Sequence, residues 1–600
     1  MPRSSTRSRS KGRQPDRGRP PHPAAPEPTP KRPSVLDAVL AARAWKVALG
    51  LALLHLVFAL VAFNPTPHVG GDNAAYISLA RSLVERHAYL ELWDPAARPH
   101  TQYPPVWPGI IAAMSLLGLR GWMVVKAAVM AFSVLCIALS YLWLRRTSTP
   151  QVALLAGLVL AIGPGVLEQA HWELSDVPAW AFTMLALWAS THLVGAPETE
   201  GEPGREVHHG RWLAVLIAGV VLGNFTRAAG LPLVVAAAAW LGWRRQWRDL
   251  GTLLAVFLPL AFAWWLRGKM YGAPGYLSHL WAVDPYQPRL GNIGPMDMVR
   301  RIASNMVRYE GVHLPILLTW NGVRRYLIGG AVMVLAAAGW GRRMQRPGLA
   351  EFWTPLYVAL LLVWPATWSS ERFVLPILPL LLCYAGEAVR DLPAAMGRPR
   401  LAALAPPIAA AFLLLLAAPG LLRVEQVGYT CTKSYLKGDA LRCMNQEYRD
   451  YFTVAEMARG RLPAGSAVLS RKPTLFYVIA GYPGRVYPLS ANPDTFFMAA
   501  RDAGAGYVVF DRIRDLAPMY LHPVLLAARD KFCVMTGLAV GENAALLRIE
   551  PGAPQRTGVA ENAFRLCDAP APPQQPATPP PTASQPSPAQ PQPPPMRPQP

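Results

Sequence analysis

Long apolar runs separated by short polar segments set the pattern of this chain. They lie at roughly 45–63, 122–144, 151–165, 178–194, 212–226, 229–243, 250–266, 322–340, 352–368, 373–389 and 402–422. Each is near the length with which a helix crosses about 30 Å of hydrocarbon, although 151–165 and 212–226 are short. The pattern predicts an α-helical polytopic membrane protein with about 11 transmembrane helices, its two ends on opposite sides. A further run at 106–119 is only about fourteen residues long and follows YPPVWPG, so it reads as a helix lying in the interface. Between 296 and 309, apolar residues at 299, 302, 303 and 306 alternate with polar ones at 297, 301, 304, 305 and 308, the spacing of an interfacial amphipathic helix.

The polar remainder falls into three parts. Residues 1–36 carry nine Lys or Arg among Ser and Pro and have almost no large apolar side chain, so a disordered basic tail attracted to anionic lipid is expected. Residues 569–600 are rich in Pro, Gln and Ala and read as disordered too. The membrane domain then spans 37–423, and 424–568 alternates β-rich runs (467–469, 506–510, 544–549) with helical patterns (451–461, 493–503). That alternation predicts a small α/β domain.

Composition sharpens the class. Of 600 residues 52% are hydrophobic and only 16% charged, too apolar for an ordinary soluble enzyme. The net charge of +22 suggests nucleic acid at first sight. The basic residues instead fall in short clusters between apolar runs: Arg145 and Arg146; Arg211; Arg244, Arg245 and Arg248; Arg342, Arg343 and Arg346; Arg398 and Arg400. The positive-inside bias explains such clusters, excludes a nucleic-acid partner and puts the N-terminus in the cytoplasm. The loops bearing Asp72, Asp176 and Arg372, and everything after 423, then fall outside an inner membrane. Cys136 and Cys383 lie within apolar runs and read as small buried hydrophobes. Cys431, Cys443, Cys533 and Cys567 lie in the outer part, an even number suited to an oxidising space, and proximity pairs Cys431 with Cys443 and Cys533 with Cys567.

Two acids carry the candidate chemistry. Asp72 stands in GGDNAAY (70–76) just past the first apolar run, and Asp176 stands in HWELSDVP (171–178) after another. Each has a bland reading as a helix cap. An enzyme on the outer face cannot draw on cytoplasmic nucleotide sugars, so a transferable group must arrive on a lipid carrier with its phosphate at the interface. Such a transfer needs a carboxylate to take a proton from the incoming hydroxyl and cations to hold the phosphate that leaves.

The order of one apolar run, GGDNAAYISLARSL, YPPVWPG, a run ending in Arg-Arg, SDVP and later SSERFVLPILPLL resembles the polytopic GT-C glycosyltransferases. Within them it is similar to the protein O-mannosyltransferases and lipid A aminoarabinose transferases, glycosyltransferase family 39-like, over roughly 45–390. The resemblance implies a GT-C-like membrane domain that moves a sugar from a polyprenyl-phosphate carrier to a hydroxyl on a glycan, lipid or protein. It implies Asp72 as the acid that activates the acceptor, Asp176 as its support, and Arg372 as a guanidinium suited to bidentate phosphate contact. Family members often carry Glu after the first acid and a Lys before the Pro of the interfacial run, where this chain has Asn73 and Tyr103. Phosphate binding is therefore expected to use Arg227 in NFTRAAG, Arg300, Arg301 and Tyr103 as well as Arg372. Asn73, Glu173 and His171 are candidates for an acceptor or metal site, with Mg, Mn or no cation as open alternatives. The rival is a transporter or flippase of lipid-linked glycans, which is expected to hold its ionisable residues at mid-membrane and to show internal repeats. Neither is legible here.

Overall fold

The computed structural model describes residues 43–194, 204–272, 280–285, 287, 290–320, 325–541, 543–550 and 565–567. The expected tails at 1–36 and 569–600 lie outside the described residues. Among the described residues each apolar run lies largely on helix, for example on Ala44–Val61, Trp122–Thr147, Asp176–Leu193, Trp247–Met270, Leu349–Val363, Leu378–Ala395 and Ala405–Leu436. Among the described residues four helices are long and apolar enough to cross a membrane: Ala44–Val61, Trp122–Thr147, Trp247–Met270 and Ala405–Leu436. Pro150–Ile162 and Leu349–Val363 are apolar but shorter, so length and composition alone support four crossings where eleven were expected.

The helices pack around one apolar core in which Trp107, Trp143, Trp180, Trp240 and Trp353 are fully buried. Trp247–Met270 does the reverse: Val256, Leu258, Leu260, Phe262 and Trp265 are exposed along it. So large an uncovered apolar stripe is a surface for lipid rather than water. The last long helix reaches the first through Gly428, where a Cβ would lie 2.3 Å from the backbone of Ala62. Only glycine permits that approach, and it brings the C-terminal part of the chain beside the loop leading to Asp72.

The expected boundary at 423/424 falls inside one continuous helix, Ala405–Leu436. Beyond it strands β1 (Ala467–Leu469), β2 (Ala505–Phe510), β3 (Phe532–Val540) and β4 (Ala544–Ile549) form a sheet of order β1-β2-β4-β3. β1 and β2 run parallel, and the other pairs are antiparallel. Successive strand residues point to opposite faces. Val468, Val509 and Leu546 therefore pack under Gln446–Ala458 and Pro473–Ala480, while Leu469, Val508 and Leu547 pack under Pro493–Asp502 and His522–Ala527. The result is a three-layer α/β/α domain, with β3 an addition to the strands expected from the pattern. Cys431 is bonded to Cys443 at the helix exit and Cys533 to Cys567, the pairing that proximity suggested; Cys136 and Cys383 are free and buried.

Candidate active site

Asp72 is the first residue of helix Asp72–Arg86, and Gly71 rather than Asp72 takes the cap position, with φ of 97°. That left-handed backbone suits glycine. It leaves the Asp72 carboxylate unused for capping and seated where the helix dipole favours negative charge. Asp176 likewise opens helix Asp176–Leu193, after Ser175. The bundle turns both helix starts toward one short segment, Glu371–Val374, which follows the end of Leu349–Val363.

Arg372 stands between the two acids. Its Nη2 is 3.7 Å from Asp72 Oδ2 and its Nη1 is 3.8 Å from Asp176 Oδ2. Arg227 Nη1 lies 3.0 Å from the same Asp176 oxygen and donates to Ser175 Oγ at 3.3 Å. Tyr103 donates its hydroxyl to Asp72 Oδ1 at 2.8 Å, and the Tyr76 hydroxyl meets Ser175 Oγ at 3.0 Å. Both guanidiniums also lie near the Phe373 ring, at 4.8 Å for Arg227 and 5.1 Å for Arg372. Asp72 is the more open acid, its side chain 33% exposed against 4% for Asp176. A cavity of about 20 Å³ lies behind Asp176 and Arg227, against Trp353 and Tyr357. It has room for about one water, whereas the Asp72 side of the site is the more open one.

Charge at this site is set by burial against partners. Burial works against ionisation of Asp72, but Arg372, the Tyr103 hydroxyl and Lys472 together hold its carboxyl below the usual range. Burial also opposes charge on Arg227, and Asp176 more than restores it. The Tyr76 hydroxyl is pushed up by burial and by Asp72, so it serves as a neutral hydrogen-bonding group.

Other expected residues are placed elsewhere. Glu173 is committed to a buried ion pair with Lys126 at 3.4 Å and accepts from the His68 amide at 3.1 Å. His171 is buried against Phe63 and Trp172, and neither ring nitrogen has a hydrogen-bond partner. Asn73 donates its Nδ2 to His68 O at 2.7 Å, which shapes the loop before Asp72, and its Oδ1 is buried without a hydrogen-bond partner. Both acids face guanidiniums, and the described residues hold no group of three or more His, Cys, Asp or Glu in metal-binding geometry.

Arg300 and Arg301 are not brought to the acids either. Helix Pro295–Arg308 turns Met296, Val299 and Met306 outward and buries Arg301 and Asn305. Arg301 donates to Leu280 O and Ala282 O at 2.6 Å each, and Arg300 pairs with Asp297 on its own helix at 3.1 Å. Arg301 thus satisfies backbone carbonyls, and Arg308 and Arg267 do the same at Ala366, His100 and Tyr89. Tyr76 and Ser175 escaped notice although each sits inside a quoted motif. Lys472 and Thr474, which reach the Asp72 loop from the C-terminal domain, gave no local signal.

No protein-family model matches the chain. A stretch of 207 residues, 33% of the chain, is 30% identical to GPI mannosyltransferase 4 of Eremothecium gossypii and spans 36% of that protein, about a third of its length. The oligosaccharyltransferase of Archaeoglobus fulgidus, in its complex with Zn and sulfate, superposes with a TM-score of 0.51 at 13% identity, over 82% of this chain and 72% of that one. The same organism's oligosaccharyltransferase AglB, in complex with an inhibitory peptide and a dolichol-phosphate, gives 0.50 at 12% identity, over 85% and 75%. ArnT from Cupriavidus metallidurans bound to undecaprenyl phosphate gives 0.49 at 16% identity, over 85% and 98%. The chain shares its fold with these oligosaccharyltransferases.

Proposed function

We propose that this chain is a multi-pass glycosyltransferase of the inner membrane. It moves a sugar from a polyprenyl-phosphate carrier to a hydroxyl on a glycan, lipid or protein at the outer face, its eleven apolar helices spanning and its C-terminal domain outside. The observation that carries the reading is the shared guanidinium: Arg372 lies within 3.8 Å of both Asp72 and Asp176, with Arg227 against the same Asp176 oxygen. Two acids and two arginines at one water-facing end of the bundle suit the transfer of a hydroxyl proton and the release of a phosphate.

In this mechanism Asp72 takes the proton of the acceptor hydroxyl as its oxygen attacks the anomeric carbon. The bond from that carbon to the carrier phosphate breaks, and the phosphate leaves with its electron pair toward Arg372 and Arg227. Asp72 held by Arg372 is a weak base. When the phosphate draws the guanidinium away, the carboxylate loses its counter-charge and gains basicity, so donor binding switches the base on. Asp176 keeps Arg227 charged and in place. One base and no enzyme nucleophile imply inversion at the anomeric carbon.

The test is transfer of labelled sugar by the purified full chain in lipid, offered polyprenyl-phosphate sugars and nucleotide sugars in parallel. Transfer from the lipid-linked donors alone is expected. Transfer from nucleotide sugars only, or movement of the carrier across a vesicle without transfer, removes the proposal.

A further inference from the structure

The loop that carries Asp72 is held from two sides. From the membrane domain, Glu173 and Asn73 fix His68. From the C-terminal domain, some 400 positions along the chain, Lys472 Nζ donates to Gly70 O at 2.5 Å and Thr474 Oγ1 donates to Gly71 O at 3.1 Å. The contact is built in. The Tyr451 hydroxyl donates to the Lys472 carbonyl at 2.8 Å, which fixes the base of the lysine. Ala74, two residues past Asp72, is buried in the core of the C-terminal domain. Farther out, Arg485 holds Asp94 through two contacts of 2.8 and 2.9 Å, and the Gly484 amide donates to Trp93 O at 2.7 Å.

Lys472 also changes the charge of the site. Its ammonium joins Arg372 in keeping the Asp72 carboxylate ionised. Burial and the adjacent Arg471 push the Lys472 ammonium down to about 8, which leaves it largely charged at neutral pH.

We propose that Lys472 is a positioning residue of the transfer site: through Gly70 it locks the turn 70–72 and sets where the Asp72 carboxylate meets the acceptor, so that the C-terminal domain is part of the active site. This rests on the transfer reading above. A base displaced by about 1 Å loses on the order of 100-fold in rate, so one hydrogen bond at the turn carries a large kinetic effect.

The test compares the full chain with Lys472→Met and Lys472→Arg in lipid, reading transfer and amide hydrogen exchange over 70–76. For Lys472→Met, kcat is expected to fall on the order of 30-fold or more, with donor KM within about threefold and faster exchange over 70–76. Lys472→Arg, which keeps a donor and a charge, is expected to recover most of the rate. Unchanged exchange with unchanged kcat in Lys472→Met overturns the proposal. So does an equal loss in both variants with a lowered thermal midpoint, which marks a role in folding only. If the wild type itself transfers nothing, the transfer reading fails, and the exchange arm alone decides whether Lys472 holds the turn.

Discussion

Two clusters of buried charge sit at opposite ends of the same helices, and they differ in how completely they are satisfied. Helix Leu349–Val363, about 22 Å long, carries Glu351 in its first turn and ends nine residues before Arg372. At its start, Arg343 Nε meets Glu351 Oε1 at 2.7 Å, and its Nη1 meets Glu387 at 3.2 Å and Thr147 O at 2.7 Å. Glu351 is filled further by the Tyr384 hydroxyl at 3.2 Å and the Gly348 amide at 2.8 Å. At the other end Arg372 is 3.7 and 3.8 Å from its two acids, and Asp176 Oδ2, although 3.0 Å from Arg227, has no well-aligned hydrogen bond. Burial does not separate the clusters, since the Arg343 and Arg372 side chains are each 20% exposed. Saturation does. A filled network resists change, whereas charges held close without hydrogen bonds keep their capacity for a third group.

The strongest way to break the comparison is to remove one arginine from each end. Arg372→Ala is expected to lower transfer by about 1,000-fold with a thermal midpoint close to wild type. Arg343→Ala leaves Glu351 and Glu387 buried without their counter-charge. It is expected to cost about 3–5 kcal/mol of stability, while the molecules that remain folded keep transfer within a few-fold. Specific activity and thermal unfolding, measured on the same preparations, check both. Equal destabilisation by the two variants would erase the distinction.

A smaller effect concerns pH. Arg372, Tyr103 and Lys472 hold Asp72 below the ordinary carboxylate range of 3.8 against the opposing cost of burial, so it stays ionised as pH falls through that range. The acid limb of kcat/KM, which reports the free enzyme, is therefore expected below the position of an unperturbed carboxyl. Arg372→Lys, which loses the planar fork, is expected to move that limb upward.

The smallest effect lies in the C-terminal domain. Asp511 accepts from the Ile513 amide at 2.9 Å through one oxygen, while the other is buried without a partner. Burial pushes its carboxyl from 3.8 up to about 7, opposed by the Ile513 amide, Arg471 and Lys472. A raised folded value means stability is full below the unfolded value and is lost as pH climbs toward 7. Asp511→Asn keeps the amide contact and removes that loss. Its thermal midpoint is expected to exceed wild type by a few degrees at pH 8, and by less at pH 5.

What the sequence made legible follows the range of each interaction. Asp72, Asp176, Arg227 and Arg372 stand at the ends of apolar runs, so the pattern alone marked them as water-facing charges at one end of a bundle. The amphipathic spacing of 296–308 predicted a helix, but not that Arg301 would turn inward onto Leu280 O and Ala282 O, because periodicity names a face and not its partners. The runs 250–266 and 352–368 are equally long in the sequence, yet the first lies in the 24-residue helix Trp247–Met270 and the second in the 15-residue helix Leu349–Val363, so run length did not decide which helix is long enough to cross. β3 escaped because Thr536 and Gly537 interrupt its apolar run, and it is its pairing with β4 that holds it as a strand. Lys472 was invisible for a simpler reason: 402 positions separate it from Gly70, and no local pattern records such a contact.

The most direct test of the central claim is the initial rate of sugar transfer from a saturating polyprenyl-phosphate donor by wild type and Asp72→Asn. Asn keeps the size of the side chain and an acceptor for the Tyr103 hydroxyl but cannot take a proton. The account predicts a loss of about 1,000-fold or more with the fold intact. Transfer within about threefold of wild type would contradict it, because this carboxylate would then be a helix-end charge and not the base.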